Sequence, residues 1–194
     1  MGRPTSKDTL SVKEQLLLAG IREIEKSGIQ NFSIRRVAAA CNVSCAAPYK
    51  HFADRSDFIL AILRYINEEW CERQRDIAER YAGDTRRQLV EISLAYIRFL
   101  LDNPQYRSVL MLRDDSLSGE QLRAKSQVSE GTRALIERYC AEVHMPPETE
   151  MRKTFVVRSL IYGAALMLDN GELEKRPEIF DVVAAAIDRE FSLP

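Results

Sequence analysis

Between residues 33 and 55 the sequence places hydroxyls at Ser33, Ser44 and Tyr49, cations at Arg35, Arg36, Lys50 and Arg55, and an imidazole at His51. The slim run Ser44-Cys45-Ala46-Ala47 lies among them. Cations and hydroxyls are the groups that hold phosphate oxygens and fix a protein's register on a duplex, while base edges are read from the groove. A slim helix start lets the backbone approach those edges. Cys45 and Ala46 suit contact with a thymine methyl, and Lys50 or Arg36 could address guanine acceptors. Such a surface reads few bases directly, so specificity leans on DNA shape and on paired half-sites.

Other chemistries fit the chain less well. Cys41, Cys45 and His51 could be drawn as three metal ligands, but a zinc site wants four and no fourth is near, so ordinary thiols and no metal are expected. Catalysis needs a positioned nucleophile, base or metal. With two histidines, no Gly-x-Ser-x-Gly elbow, no phosphate loop and no His-Glu-x-x-His, neither an enzyme nor a cofactor is expected.

The elements that must position the first group are helical. Composition, with 45% hydrophobic and 29% charged residues over 194, suits an ordered, helix-rich, all-α chain. No run nears the roughly 18 apolar residues that span a bilayer, and the N-terminal stretch lacks a secretory apolar core. No membrane partner and a cytoplasmic location are therefore expected. The net charge of -1 hides an asymmetry: residues 1–66 hold ten Lys/Arg against six Asp/Glu, the rest 18 against 23. The basic end is the place for a polyanion.

A first helix is expected from Ser11 to Ser27, with Leu17, Ile21 and Ile24 on one stripe and Gly28 closing it. Ser33 opens a second, whose Ile34, Val37, Ala38 and Cys41 share a face. After the turn Cys41-Asn42-Val43, a short third helix runs to Phe52; capped by Ser44 it would hold Pro48 as its fourth residue and lose the bond to the Ser44 carbonyl, so a start at Cys45, or in a distorted turn there, is expected. A long fourth helix, capped by Asp54 or Ser56, continues to about Tyr81. From Thr85 five more are expected, broken at Pro104, Leu117 to Gly119, residues 144–148 and 170–177, about nine in all. Residues 155–168, FVVRSLIYGAALML, are apolar nearly all round, so the domain centre or a second subunit must cover them.

Two short helices joined by a three-residue turn form a helix-turn-helix arrangement. Residues 10–66, with GIQNFSIRRVAAACNVS followed by YKHFADRSDFILAIL, resemble the DNA-binding domain of the tetracycline repressor (TetR/AcrR-like) family of bacterial transcriptional regulators. The resemblance implies an N-terminal three-helix helix-turn-helix domain at 1–56 and a larger helical effector-binding and dimerisation domain at 57–194. Ser33, Arg35, Arg36, Ser44, Cys45, Ala46, Tyr49, Lys50, His51 and Arg55 would be the DNA-binding set, with Phe52 a core anchor. Arg55 stands where the family usually carries Lys, and Pro48 where an apolar residue such as Leu is usual.

By the same resemblance the chain would be a homodimer on a double-stranded palindromic operator. A small apolar or amphipathic effector of unknown identity would release it, as from a repressor. Trp70, Tyr96, Phe99, Met111, Phe155, Arg158 and Tyr162 are of the types an effector pocket uses. A buried Arg158 would need a carboxylate from the protein or a ligand. Leu160, Gly163, Ala164, Met167, Ile179, Val183, Ala186 and Ile187 suit a dimer interface on the last two helices. The alternative is an all-helical small-molecule carrier or adaptor without DNA binding.

Overall fold

The computed structural model describes residues 10–110 and 117–192. Among them the chain is all-α: α1 (Val12–Ser27), α2 (Ile34–Ala40), a 3-10 turn (Pro48–Lys50), α3 (Arg55–Arg80), α4 (Thr85–Asp102) and α5 (Pro104–Leu110) come first. α6 (Gly119–Gln127), α7 (Glu130–Glu142), α8 (Pro147–Asp169) and α9 (Pro177–Ser192) follow. Nine α-helices match the expected number by way of two offsetting differences. The expected third helix is a 3-10 turn, and the stretch expected as one helix from 119 to 144 divides into α6 and α7. The division falls at a serine pair: the Ser129 amide and hydroxyl both donate to the Ser126 carbonyl, at 3.1 and 2.9 Å. Serine side chains compete with helical pairing in this way.

Contacts divide the chain into two compact units. The described residues of Met1–Asn67 and Gln105–Lys125 form the first, those of Glu68–Pro104 and Ser126–Pro194 the second. In the first unit α1 opens on a capping box: the Glu14 amide donates to the Ser11 hydroxyl at 3.2 Å, and the Ser11 amide donates to the Glu14 carboxylate at 2.8 Å. The Glu14 carboxyl is held below its usual range by the Ser11 side-chain and backbone hydrogen bonds. Gly28 closes α1 at φ 75°, a conformation that glycine adopts without strain. The expected stripe of Leu17, Ile21 and Ile24 is buried. Gly20 lies so close to α3 that an added Cβ would sit 2.8 Å from Ile62 Cδ1 and 3.2 Å from the Phe58 ring. Phe52, Phe58 and Phe32 complete this core: Phe52 stacks on Phe58 at 3.9 Å between centroids, and Phe32 meets Phe58 edge-on at 5.3 Å.

The second unit has its own aromatic centre. Trp70 is 1% exposed, donates from its indole nitrogen to the Val128 carbonyl at 2.9 Å, and packs against Tyr96 and Phe99 at 4.9 and 5.4 Å. The last turn of α9 is tied down by two donors to its free carbonyls. The Tyr139 hydroxyl reaches Phe191 O at 2.9 Å, and the buried Lys153 ammonium reaches Glu190 O at 2.5 Å. Burial lowers the Lys153 pKa from its ordinary value. α8 buries Val157, Ile161, Ala164, Ala165 and Leu168, while Met151, Phe155, Leu166 and Met167 stay exposed. It is therefore half covered within one subunit. Among the described residues no helix is long and apolar enough to cross a membrane.

Candidate nucleic-acid interface and effector cavity

The turn after α2 is a Schellman motif built on asparagine. Asn42 takes φ 55°, its amide donates to Ala39 O, and the Val43 amide donates to Ala38 O, both at 3.1 Å. Asparagine is the residue that best replaces glycine in this left-handed position. The chain then enters the segment expected as a helix from Ser44 to Phe52. Pro48 has no N–H for the Ser44 carbonyl and would clash with it in an α-helix. The backbone tightens instead. Ala47 N donates to Ser44 O at 2.9 Å, Lys50 N to Ala47 O at 3.2 Å, and His51 N to Pro48 O at 2.9 Å. Only Phe52 N to Pro48 O, at 3.0 Å, has the α-helical spacing in this segment. The Ser44 carbonyl is thus paired, and the recognition element is a proline-stiffened tight turn in place of the expected α-helix.

Its surface is open. Ser44, Cys45, Ala46, Lys50 and His51 are exposed, and Tyr49 is 55% exposed, on the surface and not in the core. Pro48 and Phe52 are buried beneath them. Arg35 is exposed on α2 and makes no ion pair among the described residues. Ser33 caps α2, its hydroxyl accepting from the Arg36 amide at 3.4 Å. Two cations of the expected contact set, the exposed Arg36 and the half-buried Arg55, are engaged within the chain. Arg36 donates from Nε to the buried Glu23 carboxylate at 2.7 Å and from Nη2 to Asn31 O at 2.5 Å. Arg55 donates from Nε to Phe32 O at 3.3 Å and from Nη2 to Gln30 O at 3.2 Å and to Ile29 O. Both guanidinium groups hold the α1–α2 turn, whereas Arg35 and Lys50 are exposed cations. Among the described residues no group of three His, Cys, Asp or Glu is placed to hold a metal ion.

The second unit contains a cavity of about 40 Å³ between α4, α7 and α8. Three of the expected effector residues line it: Tyr96, Arg158 and Tyr162. Trp70 and Phe99 stand behind Tyr96 as fully buried rings. Phe155 is not among the lining residues; it is 73% exposed. Met111 lies outside the described residues. Arg158 is itself exposed, so it has no need of a buried carboxylate; its Nη2 lies 3.5 Å from the Tyr162 hydroxyl. Burial, with the Tyr162 hydroxyl adding to it, raises the Tyr96 pKa well above that of a free phenol. The α7 wall, with Arg133 and Ile136, went unnoticed in the sequence. The Ser126–Ser129 pair was the one signal for it, because α7 can be seen as a separate face only once that break is recognised.

Residues 16–62 match the family model described as bacterial regulatory proteins, tetR family. This N-terminal domain belongs to the tetR family. The TetR-type domain thus accounts for α1, α2, the tight turn and the first part of α3. Among curated relatives, the HTH-type transcriptional regulator SAB2452 of Staphylococcus aureus is 22% identical over 98 residues, 50% of this chain and 52% of that protein. The chain therefore spans about half the length of that relative. The nucleoid occlusion factor SlmA of Shewanella amazonensis is 26% identical over 168 residues, 87% of this chain and 78% of that protein. In fold, a TetR family transcription regulator from Marinobacter aquaeolei VT8 aligns with a TM-score of 0.76 at 19% identity, over 92% of this chain and 94% of that chain.

The residues expected at a dimer interface divide into two sets. Ala164 and Ile187 are 4% and 0% exposed, and each packs inside its own subunit. Leu160, Gly163 and Met167 follow one another along α8, and Ile179, Val183 and Ala186 along α9, all with surface still accessible. Val182 beside them is 65% exposed.

Proposed function

We propose that this DNA-binding TetR-family regulator is a ligand-responsive homodimer, with residues 1–56 binding DNA and 57–194 binding effector and partner. It acts in the cytoplasm as a repressor released from a palindromic operator by a small apolar or amphipathic molecule. The exposed tight turn carries the reading. Slim residues at Ser44 to Ala46 precede Tyr49, Lys50 and His51, and Phe52 anchors the segment from below. A gel shift on the DNA upstream of its own gene, repeated across salt, tests it. Binding that neutralises several phosphates falls steeply with salt, so the absence of any protein-dependent shift at low salt would overturn the proposal. Lys50→Ala is expected to weaken binding to every sequence alike and to reduce the slope of log K against log salt by about 1. An unchanged slope would remove Lys50 from the phosphate contacts.

The open stripes of α8 and α9 support the dimer. An added Cβ at Gly163 meets nothing within 4 Å in its own subunit. Gly163→Arg is therefore expected to leave the subunit folded and shift it from dimer to monomer on a sizing column. A variant that elutes unchanged would exclude this face from the interface.

A further inference from the structure

We infer that the cavity between α4, α7 and α8 accepts a small apolar carboxylate, with Arg158 taking the anion and Tyr96 and Tyr162 facing its apolar body. The inference rests on the ligand-responsive reading proposed above and narrows that reading's effector to an anion. Twelve residues line the cavity; two are arginines and none is acidic. Arg158 is weakly engaged. Its contact with the Tyr162 hydroxyl, at 3.5 Å, is at the limit of a hydrogen bond, and its Cζ lies 5.8 Å from that ring's centroid. Arg133 is exposed and forms no ion pair among the described residues. A guanidinium beside an apolar wall is matched best by a carboxylate, which accepts two of its N–H groups at once.

Tyr96 does not compete for that role. Burial and the neighbouring Tyr162 hydroxyl keep the Tyr96 phenol protonated, and no acidic side chain lines the cavity beside Arg158. Two cationic side chains also disfavour a cationic ligand. At about 40 Å³ the cavity holds no more than a water or two, so a ligand must part Arg158 from Tyr162 to enter. There is room to do so. A groove of about 330 Å³ between α7 and α8 adjoins the cavity and shares Arg133, Ile136 and Thr154 with it. That groove also carries Glu137 and Glu150. The carboxylate therefore belongs at the Arg158 end, where no acid lines the wall.

The chain's single tryptophan, Trp70, lies 4.9 Å from Tyr96 between ring centroids and reports on the site. Three probes with one body and different charge separate the possibilities: 3-phenylpropionate, 3-phenylpropanamide and 3-phenylpropylamine. The carboxylate is expected to give a saturable change in Trp70 emission, with a Kd at least about tenfold below that of the amide. Arg158→Gln should raise that Kd about tenfold and leave amide binding unchanged, with Arg158→Lys intermediate. Arg158 is exposed, so both variants are expected to melt like the parent chain. The inference is overturned if the amide or amine binds as tightly, if Arg158→Gln changes nothing, or if the carboxylate shows no saturation below about 10 mM. Operator release, measured separately, tests the broader reading. Binding of the carboxylate without release would defeat ligand response and leave the anion site standing; release by the amide alone would do the reverse.

Discussion

Arg55→Ala is expected to lower the melting temperature by roughly 5–10 °C while leaving the salt dependence of the remaining DNA binding unchanged. The reason lies in what the guanidinium holds. It is half-buried, and it donates to three carbonyls of the α1–α2 turn, those of Ile29, Gln30 and Phe32. Hydrogen bonds from a charged donor contribute about 1.5–3 kcal/mol each when well formed. Partial exposure and the length of two of these bonds reduce the sum to about 2–3 kcal/mol. For a chain of this size 1 kcal/mol corresponds to about 2–4 °C in melting temperature. Arg55→Lys should recover less than half of the loss, because a point ammonium cannot span carbonyls that a planar fork reaches together. The opposite pattern, an unchanged melt with a salt slope reduced by about 1, would make Arg55 a phosphate contact after all.

Arg55 also shows where sequence reading stops. Its place in the family pattern and its charge both suit a phosphate, and nothing in the spacing shows that the turn 26 residues upstream, at Ile29, offers it carbonyls. Arg36 repeats the lesson through Glu23, 13 residues away. Features that depend on local spacing were legible: the Ser11 cap, Gly28, the Ser33 cap, and the buried stripe of Leu17, Ile21 and Ile24. The Asn42 turn was legible in place but not in kind. Pro48 calls for a helix that starts at Cys45 or for a distorted turn there, and the backbone takes the second course. A switch to i→i+3 pairing satisfies the Ser44 carbonyl with the Ala47 amide, and that choice depends on the Schellman turn before it and the Phe52 anchor after it.

In the second unit the limit is different. An apolar helix such as α8 announces that it must be covered, but periodicity does not say by what. Ala164 and Ile187 read like Leu160, Gly163, Ile179 and Val183 in sequence and are core in the fold. Phe155 reads like Tyr162 and is exposed, outside the cavity lining. These distinctions depend on how α4, α7 and α9 surround α8, and the α7 wall was hidden by the missed break at Ser129.

Phe52→Ala carries the largest expected effect, because one ring links the tight turn to the core of the first unit. Phe52 is 2% exposed and lies nearly parallel to Phe58, 3.9 Å away with an interplanar angle of 12°. Phe58 in turn meets Phe32 at 84°. Truncating a buried phenylalanine costs about 3–5 kcal/mol, part of it from the cavity left behind. Here the cavity opens directly under Pro48 to His51, so the turn loses the support that fixes Tyr49 and Lys50 on the surface. Operator binding is expected to fall below detection. The urea midpoint for loss of helix should drop markedly, while Trp70 emission, which reports on the second unit's own aromatic centre, stays native at low urea. Phe52→Leu keeps an apolar side chain there and should restore most of the stability, at a cost of under about 1.5 kcal/mol if the site repacks. Should Phe52→Ala bind operator as the parent chain does, the turn would owe its position to the Schellman motif and Pro48 alone. That outcome would also remove the argument that a buried anchor, and not an α-helix, is what presents this recognition surface.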